Sequence, residues 1–333
     1  MNHDIGMAEA PGVTVAPDLS IVIVNWNAGD LLRRCVAGIV AAAPGVASDV
    51  IVIDNASSDE SLAALRDDAV AAALVRDGRL RIVENAANRG FGAANNQAFR
   101  LSRAPFVLLL NPDTLITAGA IERLIAALRS EPGTAACGPR ILNADGSLQI
   151  SVWRNPPAVW EIVLSSLRLY RLLPAGIRGD LLLGPHWGHD RRRPVRMLSA
   201  AALMVRHEAI DAVGGFDERF HMYAEDNEWC LRLVRAGWSL LFEPAAIVRH
   251  DGAQSALKRW NPLEKRRVQL EASFLFQRIS LPRWRLVANH LAWYLTAALQ
   301  RSWRQARGVD ASEIVMVTRL HRCHLMEALR VRR

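Results

Sequence analysis

Residues 108–114 read LLLNPDT. Three leucines run straight into Asn111, Pro112 and Asp113. A continuous apolar run that halts at a proline and a carboxylate fits a buried parallel strand at its carboxyl end. Taken alone, an Asn-Pro-Asp turn is more often a turn than a metal site. What surrounds it decides between the two.

Working outward, PFVLLLN (105–111) lies between two stretches of helical spacing, GFGAANNQAFRLS (90–102) and AGAIERLIAALRSEP (118–132). Upstream, the strand-like segments LSIVIVNWN (19–27), DVIVIDN (49–55) and LRIVENA (80–86) alternate with the helical segments GDLLRRCVAGIVAAA (29–43) and ESLAALRDDAVAAAL (60–74). This order predicts an α/β fold, a mostly parallel central sheet with helices on both faces. Residues 143–196 read as irregular insertions, with prolines, tryptophans and the run Arg191-Arg192-Arg193, shaping a second binding surface. MLSAAALMVR (197–206) and WSLLFEPAAIVRH (238–250) read as further strands, and EDNEWCLRLVRAG (225–237) as a short helix.

Composition sets the frame. The 333 residues, 51% of them hydrophobic, suffice for one large domain with extras or for two domains. Residues 1–18 read as a loose tail, 19–255 as the α/β domain and 256–333 as a basic, Trp-rich helical extension. From Ala256 onward there are 16 Lys+Arg and 5 Asp+Glu, which leaves 25 and 28 in residues 1–255. The basic character therefore belongs to the extension, whose natural partners are an anionic membrane surface or a nucleic acid. No zinc-finger, RNP or helix-turn-helix signature accompanies it, so no nucleic-acid partner is expected. WRLVANHLAWYLTAALQRSW (284–303) has the length of a membrane span but carries Arg285, Asn289, His290, Gln300 and Arg301. It reads as an amphipathic helix with Trp284, Val287, Leu291, Leu295 and Ala298 on one side, packed on the domain or lying on a membrane. Cys35, Cys137, Cys230 and Cys323 are scattered and form no CxxC pair, as in a reducing compartment. The N-terminal residues show no secretory pattern, and a cytoplasmic location is expected, extending to the inner face of the cytoplasmic membrane.

In an open parallel sheet, ligands bind beyond the carboxyl ends of the strands. Those ends here carry Asn25, then Asp54 and Asn55, then Asn88 and Gly90, then Asn111 and Asp113. Asp54-Asn55 alone reads equally well as a turn. Gly90-Phe91-Gly92 lacks a dinucleotide fingerprint's third glycine and first-strand position, which disfavours a dehydrogenase, yet its N–H groups suit a phosphate. Glu225 and Asp226 open a helix, where acids are at home. Their neighbours are acidic too (Asp217, Glu218, Glu228), and Phe220 and Tyr223 lie among them. A carboxylate against apolar walls has its pKa raised into the range of a general base. A histidine ending a strand, His250, is more often structural than a ligand. Together with Asp113 it makes a set of hard oxygen plus one imidazole that suits Mg²⁺ or Mn²⁺.

Six segments in order, SIVIVNWN, VIDNASSDES, NRGFGAANNQAF, LLLNPDT, VGGFDERFHMYAEDNEWCLRL and VRHDGAQS, resemble glycosyltransferase family 2, nearest its rhamnosyltransferase-like branch. The resemblance covers about residues 19–255. It implies a GT-A fold and an inverting, metal-dependent glycosyltransferase of cell-surface polysaccharide synthesis. Such an enzyme moves a sugar, with rhamnose from dTDP-rhamnose as first choice, from a nucleoside-diphosphate donor to a saccharide or lipid-linked saccharide acceptor. By position it implies that Asp54 meets the donor's base, and that Asn25, Asn55, Asn88, Gly90, Asn111 and Asp113 bind the donor. It further implies that Asp113 and His250 hold the metal, Asp226 is the catalytic base, and Glu225 and Glu228 face the acceptor. Asn111 stands where the family's metal motif often has a first aspartate, Ala200 or Ala201 where a glycine is common, and Asn227-Glu228 where Val-Asp is usual. Two alternatives stand beside it: another donor sugar, such as galactofuranose or a hexosamine, and a non-catalytic sugar-nucleotide-binding scaffold. The joint presence of Asp113, Asp226 and His250 argues against the scaffold.

Overall fold

The computed structural model describes residues 17–43, 45–154, 156–251 and 261–330. Most of the expected tail (1–18), the domain boundary expected at 255/256 and the end of the VRHDGAQS stretch lie outside the described residues. Among the described residues ten strands form one sheet: β1 (Leu19–Asn25), β2 (Ser48–Asp54), β3 (Leu80–Glu84), β4 (Phe106–Leu110), β5 (Thr114–Ile116), β6 (Thr134–Leu142), β7 (Leu148–Gln149), β8 (Arg193–Val195), β9 (Ala202–Arg206) and β10 (Ser239–His250). Their order is β3-β2-β1-β4-β9-β6-β10-β5, with β7 added to β6 and β8 to β10.

The half built from β3, β2, β1 and β4 is parallel, as the strand–helix alternation predicts. Beyond β4 the sheet is mixed. β9 runs antiparallel to β4 and β6, whereas β10 returns parallel to β6. β1 shows why the first half must be covered twice. Its Leu19, Ile21 and Ile23 join the core formed with Leu32, Val36 and Ile39 of α1 (Asp30–Ala42) and Leu124 and Leu128 of α5 (Ala120–Ser130). The alternate residues Val22 and Val24 join Ala94, Ala98 and Phe99 of α4 (Phe91–Leu101) and Trp229 and Leu233 of α9 (Glu225–Arg235) on the other face. Each such side chain contributes about 1.5–3 kcal/mol on burial, so polar residues collect where the strand ends.

Two segments differ from the sequence reading. The 60–74 helix is two, α2 (Ser61–Arg66) and α3 (Ala69–Arg76). Asp68 makes the break, because its carboxylate accepts from the backbone N–H groups of Val70 and Ala71 and starts a new helix. The 143–196 region is less irregular than expected, holding α6 (Val159–Ser166), α7 (Ala175–Leu182) and β8. Glu161 starts α6 by accepting from the N–H of Ala158 at 2.6 Å. The arginine run is largely paired off, Arg191 and Arg193 with Asp180 and Arg192 with Glu131. A short helix, α8 (His207–Val213), follows β9.

The extension is three helices, α10 (Pro262–Ser280), α11 (Arg283–Ala306) and α12 (Ser312–Arg330). Asn261 and Glu264 cap α10 reciprocally, each side chain taking the other's backbone N–H at 3.0 Å. Phe276 of α10 is fully buried against Phe220 and Ala224, in the loop that leads into α9. Asn289 of α11 donates to Pro157 O at 3.0 Å and Arg235 of α9 donates to Ser280 O at 2.6 Å, so hydrogen bonds as well as packing fasten the extension to the α/β body. Between α10, α11 and α12 lie the buried His290, His321 and His324. Burial, and secondarily the neighbouring imidazoles, pushes His290 and His321 down to about 3, and burial lowers His324 against the opposing charges of Glu327 and Glu271. Trp284, Leu291 and Leu295, placed on one side of α11 by the sequence, point outward at 71%, 42% and 51% exposure. The packed side is instead Leu286, Asn289, His290 and Ala297. Among the described residues no helix is long and apolar enough to cross a membrane.

Candidate active site

The carboxyl ends of β1, β2 and β4, the start of α9 and one face of α10 enclose a cavity of about 340 Å³. Of the residues singled out from the sequence, Asn55, Asn88, Gly90, Asn111, Asp113, Glu225, Asp226 and His250 line it. Three do not. Asn25 is fully buried below the cavity, its Nδ2 at 2.7 Å from Asp54 Oδ1, 2.8 Å from Ser61 Oγ and 3.1 Å from Ser57 Oγ. Asp54 is 3% exposed, and its Oδ2 accepts from the N–H of Ser57 at 3.0 Å. The pair is a clamp that shapes the 55–61 loop. Glu228 faces away, bound at both oxygens by Arg232 Nε at 2.7 and 2.8 Å.

Beside the clamp, Asn55 organises the 85–90 loop. Its Nδ2 donates to Asn88 Oδ1 at 3.0 Å, and its Oδ1 accepts from the N–H of Arg89 at 3.0 Å. Gly90 follows with φ 86°, a region favoured only by glycine, and an added Cβ would stand 2.9 Å from the carbonyl oxygen of His221. The glycine thus serves a tight approach between two loops that both line the cavity.

On the metal side, His250 at the end of β10 is 3.0 Å through Nε2 from Asp113 Oδ1 and 3.3 Å from Asn111 Nδ2. Its Nδ1 lies 2.8 Å from Gln149 Oε1, an acceptor that fixes the proton on Nδ1. Nε2 then presents a lone pair to a carboxylate oxygen, and two such atoms at 3.0 Å need a proton or a cation between them. Oxygen ligands with one oriented imidazole fit Mg²⁺ or Mn²⁺. The backbone keeps the pair together, since the N–H of Asp251 donates to Asp113 O at 2.9 Å and β5 pairs with β10 through Thr114 and His250.

Elsewhere along the lining, Tyr223 and Ala224 both adopt left-handed backbone (φ 70° and 66°) immediately before α9. Such residues cost about 1–3 kcal/mol each and persist where the surroundings impose them. Here Phe276 and Phe220 supply the packing. The bend sets the buried Glu225 beside the half-buried Asp226. Asp226 does not cap the helix. Its Oδ1 accepts from Asn227 N and Nδ2 at 2.8 and 2.9 Å, and its Oδ2 from the N–H of Ala200 at 3.4 Å. Trp153 Nε1 holds Asn227 in turn, at 3.1 Å. Burial raises the pKa of both carboxyl groups. The charge of Asp226 raises Glu225 further, and donated hydrogen bonds partly restrain Asp226. Glu225 Oε2 has no hydrogen-bond partner among the described residues. One proton is thus best placed on Glu225, leaving Asp226 as the ionised member.

The sequence reading did not single out Gln149, Lys265 or Gln269, all of which line the cavity. Asp145-Gly146 ahead of Leu148 is a hairpin signal that leads to Gln149. Lys265 carries a compositional signal: it and Lys258 are the only lysines among 41 Lys+Arg.

Comparison with known proteins is consistent with this geometry. The profile of Glycosyl transferase family 2 matches residues 20–177. An N-acetylglucosaminyl-diphospho-decaprenol L-rhamnosyltransferase of Mycobacterium tuberculosis is 31% identical over 263 residues, covering 71% of this chain and 77% of the relative. Among solved structures, a mannosyltransferase of Pyrobaculum calidifontis in complex with GDP-Man and Mn²⁺ is similar at TM-score 0.51 and 16% identity, over 95% of this chain and 87% of that one. GalNAc-T7 with UDP, GalNAc and Mn²⁺ is similar at TM-score 0.57 and 14% identity, over 95% of this chain and 56% of that one.

Proposed function

Because this chain belongs to glycosyl transferase family 2 and is a glycosyltransferase of GT-A fold, we propose that the cavity performs an inverting, metal-dependent transfer from a nucleoside-diphosphate sugar. The observation that carries this reading is that two chemically distinct groups line one cavity. One is Asp113 with His250, and the other is the buried Glu225 with the half-buried Asp226. Asp113 and His250 would hold a divalent ion, with Asn111 beside them. Such an ion supplies positive charge to the departing diphosphate. Lys265 adds a compact positive charge to the cavity wall. Asn55 and Asn88 set the loop that receives the nucleotide, with Asn25 and Asp54 bracing it from below. Asp226 accepts the proton of the incoming hydroxyl, held in place by Asn227 and Trp153, and Glu225, Gln269 and Tyr223 line the acceptor's approach.

Rhamnose from dTDP-rhamnose is the first donor to try, given the activity named for the mycobacterial relative. The test is release of free nucleoside diphosphate from a panel of donors, with and without Mn²⁺, in the presence of a lipid-linked saccharide. Metal-dependent release with one donor is the expected outcome. Donor binding without release from any member, with an acceptor present, would instead favour the sugar-nucleotide scaffold.

A lipid-linked acceptor fits the outer surface of the extension. The stripe Trp284, Leu291, Leu295 and Leu299 is exposed along α11, with the exposed Arg301 near its end. An amphipathic helix of this kind seats its apolar side at a lipid interface while its arginines meet anionic headgroups. Replacing Trp284, Leu291 and Leu295 with Gln should abolish co-sedimentation with anionic vesicles without lowering the melting temperature, because these side chains contribute little to the core. Undiminished vesicle binding would remove α11 from membrane contact.

A further inference from the structure

The extension holds a group of residues that the transfer reaction does not use. His290 of α11 and His321 and His324 of α12 bring ring nitrogens within 4.8 Å of one another, and all three residues are buried. We propose that these histidines form a zinc site that pins the C-terminal helices to one another.

Several observations support this. His321 and His324 are three residues apart and so share one face of α12. His321 Nδ1 lies 3.4 Å from His290 Nδ1. A tetrahedral zinc with Zn–N bonds of about 2.0–2.1 Å sets its ligand nitrogens roughly 3.3–3.4 Å apart. The rings are also pre-oriented. His324 stacks on Phe274 with centroids 4.1 Å apart and planes within 5°, and His290 meets the same ring edge-on at 5.1 Å. Trp293 stacks on His321 at 5.2 Å.

Packing alone does not account for the choice of histidine. His324 Nδ1 finds no hydrogen-bond partner among the described residues, although its side chain is only 6% exposed. A buried polar atom left unpaired is costly, and phenylalanine would stack equally well without that cost. Buried, uncharged imidazoles are also the form that binds metal without first losing a proton. Three neutral nitrogen donors suit zinc, whereas the Asp113–His250 pair offers a hard oxygen that suits Mg²⁺ or Mn²⁺. A cavity of about 420 Å³ reaches His290 and His321 and gives the fourth coordination position access to water.

The test uses the full chain, stripped with chelator and titrated with Co²⁺ as a visible reporter of tetrahedral nitrogen coordination, then with Zn²⁺ as competitor. The variant carrying both D113A and H250A removes the other candidate metal site. It should still bind one equivalent of Co²⁺ that Zn²⁺ displaces. Adding H321Q should weaken that binding by at least ~10-fold, since losing a ligand costs no less than losing an outer-shell partner. Adding H324F instead preserves the stack on Phe274 and should weaken it comparably. Absence of uptake in the D113A/H250A background, or uptake unchanged by H321Q and H324F, overturns the proposal. If either addition lowers helicity by circular dichroism, the D113A/H250A stoichiometry decides: one equivalent supports the site and none overturns it.

Discussion

Asp226→Asn should leave donor binding intact while turnover falls by about 10²-fold or more, the usual contribution of a positioned general base. The amide preserves size and much of the hydrogen bonding to Asn227 and Ala200 but cannot accept the proton. The pH profile sharpens the test. Burial raises the Asp226 pKa above its ordinary 3.8, and the form that the proposed mechanism uses is the carboxylate. Wild-type rate should therefore climb as pH rises through that elevated range and then level, and the variant should lose this limb. Stability runs the other way. A group whose folded pKa is raised stabilises the fold fully below its unfolded value and loses that contribution as pH rises through the folded value. The wild-type melting temperature should accordingly decline over the range in which the rate climbs, and less so in Asp226→Asn. A variant with wild-type turnover and an unchanged pH profile removes Asp226 from the chemistry.

Asp113→Ala should act on the proposed metal pair. With the carboxylate gone, His250 keeps Gln149 but loses its anionic partner, and the ion loses its hard oxygen ligand. Metal-dependent donor affinity should fall by at least about 10–100-fold, the cost already seen when only an outer-shell partner is removed. Calorimetric titration of donor with and without Mn²⁺ measures it. If the metal dependence of binding is the same in the variant, Asn111-Pro112-Asp113 is a turn and nothing more.

The first four strands and the residues at their ends were readable because continuous apolar runs and local turn residues are short-range signals. The Asp113–His250 contact spans 137 residues, yet it was legible because His250 ends β10 and Asp113 sits in the short turn that follows β4. Other features depend on distant partners. Gln149 reaches His250 across 101 residues through a two-residue strand, and Lys265 reaches the cavity from a helix whose placement no periodicity reveals. Asn25 and Asp54 look in sequence like ligand-facing polar residues, and only the geometry shows that they bind one another. Glu228 is similar, since its partner Arg232 lies one turn away, where helical spacing already permits an ion pair. On α11 the apolar stripe was visible, but whether it faced the domain or the outside depended on what the opposite side packs against.

The near-absence of lysine has a practical consequence for labelling. Only Lys258 and Lys265 carry side-chain amines, and Lys265 borders the cavity. Acylating or reductively alkylating reagents, which bypass guanidinium groups, therefore have very few side-chain targets. The extent to which a nucleotide shields Lys265 from them becomes a direct optical or mass-spectrometric gauge of occupancy, requiring no engineered tag.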